Sequence, residues 1–186
     1  MTVQTTEAVF DNTFKKNLTA RNVQTGLWSN LASNIVAELL SFAGFDWILF
    51  DTEHAPNNIA TLIPQLQAMK GSTTSSIVRP VWNDQLEFKR LLDIGFHNFI
   101  VPFVQNQEEA EYAVSSVRYP PRGRRGVSVG ARGSCFGYSS DYWHRVEEHI
   151  ALVVQVETVE AATRIEEIFS VDGIDGIFIG PSDLAA

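Results

Sequence analysis

The run "FDWILFDTEH" (45–54) carries an apolar segment straight into Asp51, Glu53 and His54. An apolar strand that stops in two carboxylates and an imidazole has the groups for proton transfer, since His54 is the side chain best suited to accept a proton near neutral pH. Other apolar runs end in a similar way. The third ends in Arg79, the fifth in Gln155 and Glu157, the sixth in Gly180-Pro181-Ser182-Asp183, and the first in Trp28. One acid at a strand end, Asp51 or Asp183 alone, is accounted for by helix capping. Acids and a base at several successive strand ends are not, and in α/β folds the site is built from that edge.

The residue types narrow the chemistry. Glu157 and Asp183 can hold a hard divalent cation, with water and substrate oxygens completing its shell. Arg79 is permanently charged and suits a developing oxyanion or a substrate carboxylate. The four lysines, Lys15, Lys16, Lys70 and Lys89, all lie away from the carboxyl ends of strands, which argues against a Schiff base. A metal-dependent enolate mechanism fits what remains.

Positioning these groups requires a parallel sheet. Continuous apolar runs recur at 25–28, 46–50, 76–80, 98–103, 150–157 and 174–180, as expected for strands covered on both faces. Helical patterns lie between them. "NIVAELLSFAG" ends on Gly44, "NIATLIPQLQAMKG" on Gly71 and "QLEFKRLLDIG" on Gly95, each glycine a suitable left-handed cap. "NQEEAEYAVSSVRY" stops at Pro120-Pro121, and "VEAATRIEEIFSVDG" reads as one helix ending at Gly173. This alternation predicts a doubly wound sheet or a (β/α)8 barrel. Residues 104–149 form a long excursion between strands four and five, with a helix, an arginine-rich turn, a second helix at "SSDYWHRVEEH" and room for a short strand near "GVSVG". The sequence stops after a sixth strand, so two further βα units are expected in the native protein.

Composition excludes other classes. With 186 residues, 45% hydrophobic and 19% charged, the chain suits a single globular domain, 1–186. A net charge of −8 disfavours nucleic acid, and no apolar run is long enough to span a bilayer. The first twenty residues lack a signal-peptide pattern, and Cys135 is the single cysteine, so a cytoplasmic setting without disulfides is expected. Arg118, Arg122, Arg124 and Arg125 read as a proline-stabilised turn, or as a group steering an anionic substrate. His97, His144 and His149 read as surface or packing residues, and Cys135 has no base beside it in sequence. Trp28 and Trp82 fit a pocket wall or the core equally.

"GFDWILFDTEHAPNN", "VRPVWND", "LLDIGFHNFIVPFVQNQEEAE", "RYPPRGRRGVS", "VVQVET" and "VDGIDGIFIGPSDLAA" together resemble the HpcH/HpaI family of metal-dependent pyruvate aldolases, from about Phe10 to the last residue. The resemblance implies a modified (β/α)8 TIM barrel, here ending after about the sixth strand, assembled as a hexamer. It makes His54 the proton acceptor, Arg79 the stabiliser of a pyruvate enolate, and Asp93 a group that raises the basicity of the histidine. Gln155 and Ser182 become substrate contacts, Glu157 a metal ligand, and Asp183 both. The implied metal is Mg2+, with Mn2+ or Co2+ as alternatives. The implied reaction is reversible cleavage of a 2-keto-3-deoxy-4-hydroxy acid, of the 2-dehydro-3-deoxyglucarate type, to pyruvate and an aldehyde such as tartronate semialdehyde. Alternatives are 4-hydroxy-2-oxoheptanedioate-type cleavage, oxaloacetate decarboxylation, or a catalytically silent oligomeric barrel. "RPVWND" departs toward relatives acting on other 2-keto acids, while retention of His54, Arg79, Gln155, Glu157 and Asp183 argues against a silent scaffold.

Overall fold

The computed structural model describes residues 7–139 and 141–186. Six strands, β1 (Gly26–Ser29), β2 (Trp47–Asp51), β3 (Ser75–Arg79), β4 (Asn98–Val101), β5 (Ala151–Val156) and β6 (Gly176–Ile179), form one sheet in sequence order. Every neighbouring pair is parallel. The sheet curls into part of a TIM-type barrel, and the strands lie within one or two residues of the apolar runs for most of their length.

The helices are α1 (Thr13–Thr19), α2 (Asn34–Ser41), α3 (Ile59–Ala68), α4 (Gln85–Ile94), α5 (Gln107–Val117), α6 (Tyr142–Arg145), α7 (Val159–Thr163), α8 (Ile165–Phe169) and α9 (Pro181–Leu184). Side-chain caps set the starts of α1 to α5 and of α7. The Asn58 carboxamide accepts from the backbone N–H groups of Ala60 and Thr61, and Asp84 from those of Leu86 and Glu87. At the C-terminal end of α4, Gly95 takes φ 106° and accepts the left-handed turn that a side chain would strain. The other two predicted glycine stops differ in detail: α2 ends at Phe42 and α3 at Met69, with Gly44 and Gly71 two residues further out.

Three further differences stand out. The helix expected over 159–173 is two short ones, broken at Arg164, whose φ −110° and ψ 13° leave the helical region. The helix expected at 139–149 is one turn of α-helix followed by a 3-10 segment, Val146–His149. Among the described residues, no strand forms near "GVSVG", where Val127 and Val129 are exposed.

Alternation along the strands divides the core in two. Ile48, Phe50, Val78, Phe99, Leu152 and Val154 face the helices. Leu49, Ile77, Ile100, Ala151 and Val153 face inward, where Trp28 and Phe178 pack against them. Phe14 on α1 inserts into this inner layer. Two contacts tie α1 across the amino-terminal ends of the strands: Asn12 Nδ2 donates to Asn98 Oδ1 at 2.6 Å, and Lys15 Nζ donates to the Ile150 carbonyl at 2.6 Å. One end of the sheet is therefore sealed, and the carboxyl end stays open.

His97, just before β4, has its titration pushed down to about 3, first by burial and then by Arg125, His149 and Arg132. A group whose folded pKa lies below its unfolded value favours the folded state while neutral, so this contribution is lost as pH falls from about 6.5 toward 3. Thermal unfolding of His97→Gln followed from pH 7 to pH 4.5 should show a shallower loss of Tm than wild type; an equal loss would rule out this residue as the cause.

Candidate active site

The site begins one step above the inner apolar layer. Moving two residues along each strand keeps the same face, so Leu49 leads to Asp51, Ile77 to Arg79, and Val153 to Gln155 and then Glu157. Asp51 and Arg79 are direct register partners on adjacent strands. Arg79 Nε donates to Asp51 Oδ1 and Nη2 to Asp51 Oδ2, each at 2.8 Å. Nη1 lies 2.9 Å from Glu53 Oε2, and the Trp28 ring lies 4.4 Å from the guanidinium carbon. Guanidinium has five N–H groups, so this arrangement leaves one on each terminal nitrogen for a ligand.

Glu53 links this pair to the imidazole, with His54 Nε2 3.8 Å from Glu53 Oε2. Burial raises the Glu53 pKa, and Arg79 and His54 oppose that shift. The His54 side chain is 68% exposed, so it reaches into the open end rather than into the core. Its loop is anchored from behind: Asn57 Nδ2 donates to the Asp51 carbonyl at 2.8 Å, and Gln65 Nε2 on α3 donates to Asn57 Oδ1 at 2.7 Å.

Across the sheet, Glu157 Oε1 accepts the Phe103 backbone N–H at 3.0 Å. Burial raises the Glu157 pKa, the Phe103 N–H lowers it, and the charges of Glu53 and Asp183 raise it again. A Cβ at Gly180 would lie 2.7 Å from Glu157 Oε2, so glycine is required for the strand to pass this carboxylate. Gln155 is buried, and its Oε1 has no protein partner. Ser182 and Asp183 are exposed on α9, with Asp183 beside Glu157.

Asp51 and Glu53 thus meet one guanidinium, Glu53 also approaches the imidazole, and Glu53, Glu157 and Asp183 lie close enough for their charges to act on one another. Among the described residues, no three His, Cys, Asp or Glu side chains form a group able to hold a metal on their own. Two hard carboxylates, Glu157 and Asp183, suit a divalent ion that keeps positions for water and substrate oxygens, and an acid excess around Glu157 favours such an ion.

Asp93 is not brought to this cluster within the chain. It lies in the last turn of α4, which runs back toward the amino-terminal ends of the strands. There its Oδ1 is 3.6 Å from Arg125 Nη2, and burial raises its pKa. The remaining positions go elsewhere: Arg118 pairs with Asp172, Arg122 with Glu147, and Arg125 is buried against the Tyr119 and Tyr142 rings. His97 sits beside Tyr142, and Cys135 lies in a 3-10 loop, Arg132–Gly137.

A parallel barrel-type sheet with an arginine and several acids gathered at its carboxyl end has the arrangement of an α/β-barrel enzyme. The chain belongs to the HpcH/HpaI aldolase/citrate lyase family, whose model matches residues 24–186. Membership places it among carbon–carbon lyases. It is 52% identical over 179 residues, 96% of its length, to 5-keto-4-deoxy-D-glucarate aldolase of Salmonella paratyphi A, covering 70% of that protein. Among solved structures it is similar to an HpcH/HpaI aldolase/citrate lyase family protein from Burkholderia cenocepacia, at 34% identity and TM-score 0.90, over 94% of this chain and 71% of that one. The HpcH/HpaI aldolase from Desulfitobacterium hafniense matches at 30% identity and TM-score 0.83, over 92% and 67%. Among the described residues, no helix is long and apolar enough to cross a membrane.

Asp51 and Glu53 are the residues that sequence reasoning left without a role. The sequence signal was partial: both acids stood at a strand end, but the register that sets Asp51 opposite Arg79 came only with the structure. Asp51→Asn removes the charge but keeps the volume, leaving Arg79 with Glu53 alone. Urea unfolding should show a loss of about 3 kcal/mol, the low end for breaking a buried pair; unchanged stability would mean that Glu53 suffices.

Proposed function

We propose that the chain is a divalent-metal-dependent aldolase that reversibly cleaves a 2-keto-3-deoxy-4-hydroxy acid, of the 2-dehydro-3-deoxyglucarate type, to pyruvate and an aldehyde such as tartronate semialdehyde. The observation that carries this reading is Arg79, fixed by Asp51 at both ends of its fork and retaining two N–H groups beyond its pairs with Asp51 and Glu53. The name of the Salmonella relative supports the keto-deoxy sugar acid class.

Glu157 and Asp183 would hold the cation, Mg2+ by preference, with Mn2+ or Co2+ as substitutes. When bound, such an ion acts as a Lewis acid toward the 2-keto acid. The other roles belong to the chain. His54, exposed beside Glu53, takes the proton from the C4 hydroxyl. The C3–C4 bond breaks, its electron pair moves toward C2, and the aldehyde leaves. Negative charge then develops on the C2 oxygen, where the free N–H groups of Arg79 stabilise it. Protonation at C3 completes pyruvate. The unpartnered Gln155 Oε1 and the Ser182 hydroxyl orient the substrate. A Schiff base is disfavoured by position: Lys15 bonds at the amino-terminal end of the sheet, and Lys89 lies on α4.

Pyruvate release from a panel of 2-keto-3-deoxy sugar acids tests the reading. Release should stop on exhaustive EDTA treatment and return with Mg2+ or Mn2+. Full activity after chelation, or borohydride trapping of a pyruvate adduct on a lysine, contradicts it. His54→Ala should lower turnover by roughly 10² to 10⁴, the range for losing a general base, while Mn2+ binding survives. Retained turnover removes the base assignment, and lost Mn2+ affinity makes His54 a ligand.

A further inference from the structure

Phe103 follows β4 at φ 57°, a left-handed conformation that a bulky side chain rarely adopts. In a regular strand, successive N–H groups point to opposite neighbours. Here two successive ones turn the same way. The Phe103 N–H reaches Glu157 Oε1 at 3.0 Å, and the Val104 N–H reaches the Gln155 carbonyl at 3.2 Å. The unusual φ is what permits both bonds toward β5 and the residue after it.

The Phe103 ring stacks on Trp82, with centroids 5.8 Å apart and planes 27° apart. Trp82 lies three residues beyond Arg79, and 53% of it is exposed, so it contributes little to the core. The stack covers the rim of the site between β3 and β4. Glu157 is consequently held from two sides: the Phe103 N–H occupies Oε1, while Gly180 leaves room for Oε2. An acid with one oxygen engaged by the backbone has a fixed orientation and offers the other oxygen to an ion.

We propose that Phe103 is a positioning residue for Glu157, held in its left-handed conformation by stacking on Trp82. This rests on the reading of Glu157 as a cation ligand given above. It makes Trp82, in the segment "RPVWND", a determinant of cation affinity without touching the ion.

The test is Mn2+ titration of the whole chain, followed by the electron paramagnetic resonance signal of free Mn2+, for Trp82→Ala, Trp82→Phe, Phe103→Gly and the double variant Trp82→Ala/Phe103→Gly. Trp82→Ala should weaken Mn2+ binding about ten-fold, as expected when support of a ligand is lost. Trp82→Phe keeps an aromatic partner and should bind close to wild type. In the Phe103→Gly background there is no ring to hold, so adding Trp82→Ala should change nothing further. Unchanged affinity in Trp82→Ala, or an equal loss in both backgrounds, overturns the proposal and leaves the lyase reading intact. Absence of Mn2+ binding by wild type overturns both.

Discussion

The buried pair of Asp51 and Arg79 is the constraint on which the site depends. A buried arginine at a strand end, 8% exposed, needs a charged partner held in place, because desolvating its charge alone is costly. Asp51 meets that need because strand register sets it directly opposite Arg79. The pair in turn fixes its surroundings. Both the backbone N–H and the hydroxyl of Thr52 donate to the Arg79 carbonyl, at 3.1 and 2.6 Å, locking the start of the loop to β3. Asn57 then grips the Asp51 carbonyl and passes the connection to Gln65 on α3. Glu53 and His54 project from a loop pinned at both ends.

The rest of the fold supplies a floor and an opening. The inner apolar layer, capped below by Phe14, gives the polar residues above it a dry base. Low dielectric beneath the carboxylates accounts for burial being the largest cause of the raised pKa values of Glu53 and Glu157. The same low dielectric strengthens the interaction of Arg79 with the carboxylates around it.

Much of this was legible in the sequence. The strands read as apolar runs because parallel strands covered on both faces have no polar side until they emerge at the site. Gly95 marked the end of α4 through local chemistry, whereas the caps Asn58 and Asp84 emerged only with the structure. The candidate residues His54, Arg79, Gln155 and Glu157 stood out because polarity returned at strand ends. What sequence could not give was pairing between elements. Helix α1 was missed because its single buried residue, Phe14, leaves no amphipathic period to detect, and its purpose lies in contacts to Asn98 and Ile150 far along the chain. The break at Arg164 and the φ of Phe103 depend on tertiary packing that no local pattern encodes. Asp93 carried a role from resemblance alone, and the chain's own geometry turns it toward Arg125 instead.

Arg79, held by Asp51, is proposed to stabilise a pyruvate enolate. Exchange of the pyruvate methyl protons with D2O measures enolate formation without any aldehyde partner. With Mg2+ present, proton NMR should show wild type catalysing the exchange. Arg79→Lys, which keeps the charge but loses the planar fork, should slow it on the order of 10² to 10³. Exchange by Arg79→Lys at the wild-type rate, or none by wild type that cleaves its substrate, would contradict the claim.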